Sequence, residues 1–272
     1  MISTDILQAI APESGLEWLE INGIKSYDVG VIVASSRSMV RAVEGYEAIN
    51  VPGRAPLFGA DPVYDNIDVV YDLRLLPDPE IAGGAIVDVS LVDEAVLGDE
   101  SLAGITSAPR RVTNWIRGTG GYQIIRDSYN PGYFRRGFAT NQIPIERVIK
   151  NFGRASINFS CDPFLYPDTG TDVITLTASG TVDNPEWYES LPYIKCYGNG
   201  NVTLTINNQT ISIAGVSGYV EIDSESMDCH KGSQNLNGHM SPAIFPAFQP
   251  GENSISFTGV AKLEIVPRWR TL

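Results

Sequence analysis

Both histidines of the 272-residue chain, His230 and His239, fall in one short stretch with Cys229, and together the three could ligate a metal ion. Zinc sites, however, place paired ligands two to five residues apart on both arms. Here one arm is His239 alone, and on a strand the adjacent Cys229 and His230 would point to opposite faces. A polar loop between strands is expected. Asp223, Glu225 and Asp228 could crowd a calcium ion, yet the central glycine and distal glutamate of an EF-hand loop are missing. Gly198-Asn199-Gly200-Asn201 neither opens a helix nor leads to a Lys-Ser/Thr pair, so it reads as a β-turn and not a phosphate cradle. There is no Gly-x-Ser-x-Gly elbow, and a hydrolase triad would have to draw on one of the two histidines of the same loop. Carboxylates are numerous, but a glycosidase pair is defined by spatial separation and not by number. Trp187 and Tyr188 beside Asn184 could stack on a sugar, although aromatic residues of a sandwich more often complete a core or an interface. No catalytic, cofactor-binding or metal-binding residue is assigned.

Thirty-two acidic residues against 19 basic ones give a net charge of -13, which argues against a sequence-independent grip on nucleic-acid phosphates. The total hides a pattern. Residues 1 to 100 carry 18 acidic and 5 basic side chains, residues 101 to 165 carry 3 and 9, and residues 166 to 272 carry 11 and 5. The basic middle holds Arg110, Arg111, Arg117, Arg126, Arg135, Arg136, Arg147 and Arg154, with Tyr122, Tyr129, Tyr133 and Phe134 interleaved. Such a mixture can line a single-strand groove. The acidic front of the same chain would repel phosphate, so the expectation is that the basic part of one copy meets the acidic part of another.

The elements that must position these residues are mostly strands. Composition is globular, with 43% hydrophobic residues, and 26 glycines and 17 prolines are spread as they are where short strands alternate with turns. Asn22-Gly23 between residues 16–21 and 24–33 predicts an amino-terminal hairpin. Val51-Pro52-Gly53-Arg54 is a turn, and Ile67 to Leu75 alternates with period two as a half-buried strand does. Val112, Trp115 and Ile116 recur at helical spacing between a cap at Ser107 with Pro109 and a stop at Gly118. Strands are expected over 121–127, 133–141, 143–150 and 154–162.

Pro163, Pro167, Asp168 and Gly170 mark a boundary near Tyr166, giving domains 1–165 and 166–272. The second should be a sandwich of strands over 173–178, 193–197, 202–206, 209–213, 219–223, 254–258 and 261–267, with a tight turn at Asn207-Asn208. No stretch reaches the roughly 20 apolar residues of a bilayer span, and Asp5 interrupts what would be a secretory leader, so a chain made and kept in a cytosol, with no membrane insertion, is expected. Three cysteines (Cys161, Cys196 and Cys229) are expected to be free thiols.

Taken in order, these pieces resemble the distal tail protein (Dit) family of long, non-contractile-tailed bacteriophages, a siphophage tail component. The resemblance is carried by Val51-Pro52-Gly53-Arg54 and by the lone helix ending Asn114-Trp115-Ile116. It continues in the strand from Gly153 through Cys161-Asp162-Pro163-Phe164, and in Asn184-Pro185 to Pro192-Tyr193-Ile194 followed by Gly198-Asn199-Gly200. Phe245-Pro246-Ala247-Phe248-Gln249-Pro250-Gly251-Glu252-Asn253-Ser254-Ile255 and the end Pro267-Arg268-Trp269-Arg270 complete it; residues 76–106 match poorly. The resemblance implies a mainly β protein and no enzyme: a ring-forming amino-terminal β domain with one α-helix, and a galectin-like carboxyl-terminal β-sandwich. It implies a homo-hexameric ring at the distal end of the virion tail, assembled in the host cytoplasm. That ring would join the tail tube protein to a tail-associated tip protein and to receptor-binding or baseplate proteins, with DNA only passing through a central channel. Some members carry a carbohydrate-binding insertion, for which the residues after Tyr166 leave no room. The rival reading is a β-sandwich lectin for host-surface attachment, stacking on Trp187.

Overall fold

The structure is a computed structural model that describes residues 17–33, 48–49, 52, 57–58, 64–75, 110–118, 120–140 and 154–272. The turn at Val51-Pro52-Gly53-Arg54, apart from Pro52, the Ser107 and Pro109 cap and the strand over 143–150 lie outside those residues. The chain divides into two compact units, one ending at Pro163 and the other beginning at Phe164.

The first unit contains β1 (Leu19–Ile21), β2 (Ile24–Lys25), β3 (Val31–Val33), β4 (Ala48–Ile49), β5 (Leu57–Phe58), β6 (Ile67–Leu75), β7 (Gln123–Asp127), β8 (Tyr133–Ala139) and β9 (Arg154–Cys161), with a helix, α1, over residues 110–117. Apart from the separate β4–β5 pair, the strands run β2-β1-β7-β8-β9-β6-β3, all neighbours antiparallel. Asn22 and Gly23 both take positive φ (50° and 83°), the geometry whose twist matches a two-residue hairpin. The expected second arm, 24–33, does not stay one strand. Ser26 turns its hydroxyl to the Leu19 amide (3.3 Å) and Asp28 its carboxylate to the Lys25 amide (3.2 Å), so a 3₁₀ turn over Ser26–Val29 replaces the ladder. After that turn β3 pairs with β6 at the far end of the path. Strands at the two ends are therefore tied by one short turn, and the sheet has to curl on itself.

The curl encloses the core. Ile67, Val69, Tyr71 and Leu73 of β6 are buried while Asp68, Val70 and Asp72 face out, as the period-two pattern predicts. Val112, Trp115 and Ile116 bring one face of α1 into the same cluster as Leu19, Ile125, Ile157 and Phe159. Three side chains tie the helix to the sheet. The Trp115 indole donates to the Ile24 carbonyl (2.9 Å), Arg111 Nε to that of Val29 (2.8 Å), and Gln123 Nε2 to that of Ile116 (2.9 Å).

The second unit holds β10 (Tyr166–Pro167), β11 (Ile174–Leu176), β12 (Gly180–Asn184), β13 (Tyr193–Ile206), β14 (Gln209–Asp223), β15 (Asp228–Lys231), β16 (Gln234–Asn235), β17 (Met240–Ser241) and β18 (Gly251–Val266). The expected strand pairs 193–197 with 202–206, 209–213 with 219–223 and 254–258 with 261–267 are three continuous strands. Gly198-Asn199-Gly200-Asn201 is thus no β-turn but the middle of β13. The glycines bend these strands and do not end them. Register shifts fall at Gly198 and Gly200, and beyond them each long strand continues in a second layer. One layer is β11 with the later part of β18, the start of β13, the end of β14, β15 and β16; the other is β12 with the start of β18, the end of β13, the start of β14, and β17. Ile194, Cys196, Val220, Ile222, Leu263 and Ile265 from the first layer share one core with Leu204, Ile206, Ile211, Ile213 and Ile255 from the second.

The fold-over depends on two backbone contacts. A Cβ on Gly198 would run into the Gly259 carbonyl, and one on Gly259, which also has φ +72°, into the Asn201 carbonyl. Since the obstacle is main chain, no rotamer change relieves it. Gly259→Ala is expected to destabilise the second unit by about 2–5 kcal/mol, the sum of left-handed strain and overpacking. Gly200→Ala, at φ +84° with open space around the added carbon, should cost only about 1–2 kcal/mol. Urea unfolding followed by near-UV circular dichroism measures both; equal losses would remove the backbone contact as the cause.

Candidate functional site

The residues singled out for metal chemistry diverge. Cys229 is fully buried, and burial, with a smaller contribution from Asp228, pushes its thiol up to about 11. His230 points the other way, its Nδ1 lying 3.3 Å from Glu221 Oε2, and His239 Nδ1 lies 3.1 Å from the Ala214 carbonyl. Among the described residues no three His, Cys, Asp or Glu side chains gather as a metal would require. The carboxylates read as a possible calcium cluster are engaged by the protein. Asp223 accepts both guanidinium nitrogens of Arg268 (2.6 and 3.1 Å) together with the Glu225 and Ser226 amides, and Asp228 accepts Asn237 Nδ2 (3.0 Å). Burial alone would raise the Asp223 carboxyl; Arg268 overrides it, and the group sits below its ordinary range.

Nor do the candidate sugar-stacking residues converge. Asn184 is buried and spends its amide on the Tyr188 and Phe248 carbonyls (3.0 and 3.4 Å) while its oxygen takes the Glu186 amide. Tyr188 packs on Phe164 at 5.0 Å between centroids, with the Arg270 guanidinium over both rings. Trp187 alone projects, 90% exposed.

Two outward faces carry the chemistry instead. In the second unit a cross-strand row runs Glu264 (β18), Lys195 (β13), Glu221 (β14) and His230 (β15), with Lys195 between the two carboxylates. Glu221 is its centre. It accepts the Tyr193 hydroxyl (2.7 Å), the Lys195 ammonium (3.2 Å) and the Gly232 amide (2.9 Å). Glu264 accepts the Tyr197 hydroxyl and the Lys262 ammonium, both at 2.7 Å. Lys195 lies 4.1 Å above the Tyr219 ring and Lys262 4.3 Å above that of Tyr197, so the tyrosines are capped by cations. Burial would raise the Glu221 carboxyl, but its three donors outweigh that and hold it down at about 2.

The second face belongs to the curled sheet of the first unit. Gln123 pairs with Gly137, so on the outward side Tyr122 stands opposite Phe138, the rings edge to face at 5.4 Å. Ile124 adjoins them, and all three are exposed, together with Val70 on β6. Asn66 donates to the Tyr122 hydroxyl (2.9 Å) and to Ser160 (3.2 Å), fixing the near edge of this patch. Most of the interleaved arginines do not form a groove. Arg126 meets Glu20 (3.4 Å) and lies over Phe134, Arg136 meets Asp162 (3.0 Å), Arg111 binds a carbonyl and Arg135 is buried. Arg110 and Arg117 are left on the solvent side of α1. The side chains of Arg147 and Arg154 lie outside the described residues.

Two mainly β units, the first curled and carrying a helix, the second folded from three continuous strands, define a β-rich chain whose prominent chemistry lies on broad outward faces. The fold is that of the SPP1 Dit (gp 19.1) protein: the two structures superpose with a TM-score of 0.65 over 92% of this chain and 98% of that one, at 13% identity. A structure of the phage p2 baseplate also matches, at TM-score 0.49 and 10% identity over 92% of this chain and 96% of that one. No protein-family model and no curated protein matches the sequence.

The charged row gives a pH test. A carboxyl held down in the folded state contributes stability above its ordinary value, 4.5, and loses it as pH falls toward 2. Glu221→Gln should therefore cost the second unit about 1–3 kcal/mol at pH 7. That gap should narrow as pH is lowered from 5 toward 2; a gap constant over the same range would show that the Glu221 charge contributes nothing.

Proposed function

We propose that this chain is a non-enzymatic structural component of a phage tail tip, a homo-hexameric hub located in the virion at the distal end of the tail. In this reading residues 1–165 form the ring that continues the tail tube and leaves a channel for DNA. Residues 166–272 form a galectin-like sandwich to which receptor-binding or baseplate proteins attach. One observation carries the reading: the fold matches, over nearly the full length of both chains, a protein described as a paradigm of the hub adsorption apparatus in phages that infect Gram-positive bacteria. Supporting it, the exposed chemistry lies on sheet faces of the kind that meet another protein, and among the described residues no helix is long and apolar enough to cross a membrane. A net charge of -13 suits a wall past which DNA must slide without sticking.

Purified full-length protein should sediment at six times the chain mass and show sixfold rings, single or stacked, by negative-stain electron microscopy. A monomer at every concentration tested would count against the hub. A second reading, a host-surface lectin, rests on the 90% exposed Trp187. A lone ring without convergent polar side chains is a poor sugar site, so a glycan array should show no binding that Trp187→Ala abolishes. Specific binding lost in that variant would favour the lectin.

A further inference from the structure

Two surfaces of the first unit match each other in charge and spacing. The first is the outward face of the curled sheet. Its apolar centre, Tyr122, Ile124 and Phe138 on the β7–β8 side, lies across Ser156, Asn158 and Ser160 of β9 from Asp68, Val70 and Asp72 of β6; the apolar three and the β6 three are all exposed. No ion pair engages either aspartate among the described residues. The second is the solvent side of α1, where Arg110, Asn114 and Arg117 recur at positions i, i+4 and i+7 while Val112, Trp115 and Ile116 enter the core. Neither of those arginines has an ion-pair partner among the described residues, in contrast to Arg126 and Arg136, which are matched within the unit.

The spacings agree. Seven helical residues separate Arg110 from Arg117, about 10.5 Å along the axis. Four strand residues separate Asp68 from Asp72, about 13 Å. That difference is within the reach of two arginine side chains, and each row has an uncharged residue at its midpoint, Asn114 in one and Val70 in the other. The two rows cannot meet within a single copy. Because α1 is seated on the core side of the sheet, its arginines face away from the core, as the aspartates do on the opposite, outward side.

We infer that these are the two halves of one contact between copies of this chain, the sheet face of one receiving the helix face of the next. The inference rests on the ring reading and gives that ring its subunit contact. Two different complementary surfaces on one subunit make a head-to-tail association, which closes into a ring when the rotation per subunit permits. The apolar centre supplies area to be removed from water, and a contiguous apolar patch on an exposed sheet face signals an interface. The charge rows set which way the helix lies across the sheet and speed the encounter.

The test uses the full chain and charge reversal. Asp68→Arg with Asp72→Arg makes the sheet row basic; Arg110→Asp with Arg117→Asp makes the helix row acidic. All four positions are exposed, so urea unfolding should be unchanged. Alone, each variant should raise the concentration at which rings form at least tenfold in sedimentation velocity, and the wild-type ring should itself loosen between 50 mM and 500 mM salt. Mixed in equal amounts, the two variants should form rings again, because an alternating ring matches a basic sheet to an acidic helix and an acidic sheet to a basic helix at every contact. Phe138→Ser should weaken assembly at both salt concentrations. Wild-type rings with variants that assemble equally well would overturn this contact and leave the hub reading standing. Variants that fail alone and also fail when mixed would overturn the pairing of these two faces. A wild-type protein that never forms rings would overturn the hub reading and the contact with it.

Discussion

The close passage of main chain at Gly198, Gly259 and Asn201 governs the architecture of the second unit. With side chains at Gly198 and Gly259, β13 and β18 could not cross closely enough to fold over, and the three long strands would continue flat, exposing one face of Leu204, Ile206, Ile211 and Ile213 to water. With glycine, one sheet supplies both layers and the core is continuous across the bend. The cost of bending is lost ladder hydrogen bonds, and two asparagines make it good. Asn199 Oδ1 takes the Gly218 amide (2.9 Å) and Asn201 Oδ1 that of Gly215 (3.4 Å), standing in for backbone carbonyls that the register shift has moved away. A third, the fully buried Asn253, locks the start of β18 through the Gln249 amide and carbonyl and the Gly251 carbonyl, all at 2.8 Å.

The same glycines explain what was legible in the sequence. Strand β6, the buried face of α1 and the Asn22-Gly23 hairpin all follow from local periodicity or from a turn that two residues dictate. Gly198-Asn199-Gly200-Asn201 has the composition of a turn, and only its tertiary surroundings make it a bend within a strand. β12 and β15 escaped because each buries little: Val182 and Asn184 in Gly180–Asn184, and Cys229 alone in Asp228–Lys231, leave no alternation to detect. The curl of the first sheet was hidden for another reason, since it depends on Ser26 and Asp28 turning their side chains back to the main chain, which residue type permits but does not require.

Charge shows the same division between local and long-range information. The acidic front and basic middle are plain from a count along the chain, but the count does not say which charges are spent internally. Arg126, Arg136 and Arg268 each meet a carboxylate distant in sequence, and Glu221 gathers Lys195 and His230 from strands on either side. Cross-strand register decides these pairings, and a shift of one residue would turn Glu221 into the core. Among the charges of the described residues that no ion pair engages are two arginines on one helix stripe and two aspartates on one strand face, a placement that the net charge does not reveal.

A fold shared with the SPP1 Dit protein at 13% identity shows how few positions must be fixed to specify it. Interior residues need only be apolar at the right period, since cores tolerate exchange at constant volume. The bends need glycine, and the buried turns need asparagine or serine whose oxygens replace backbone acceptors. Surfaces that bind other subunits are freer still. Two facing rows can change together, acid for base, without any loss of fit. Such a chain can lose nearly all resemblance in sequence while its strands and bends keep their places.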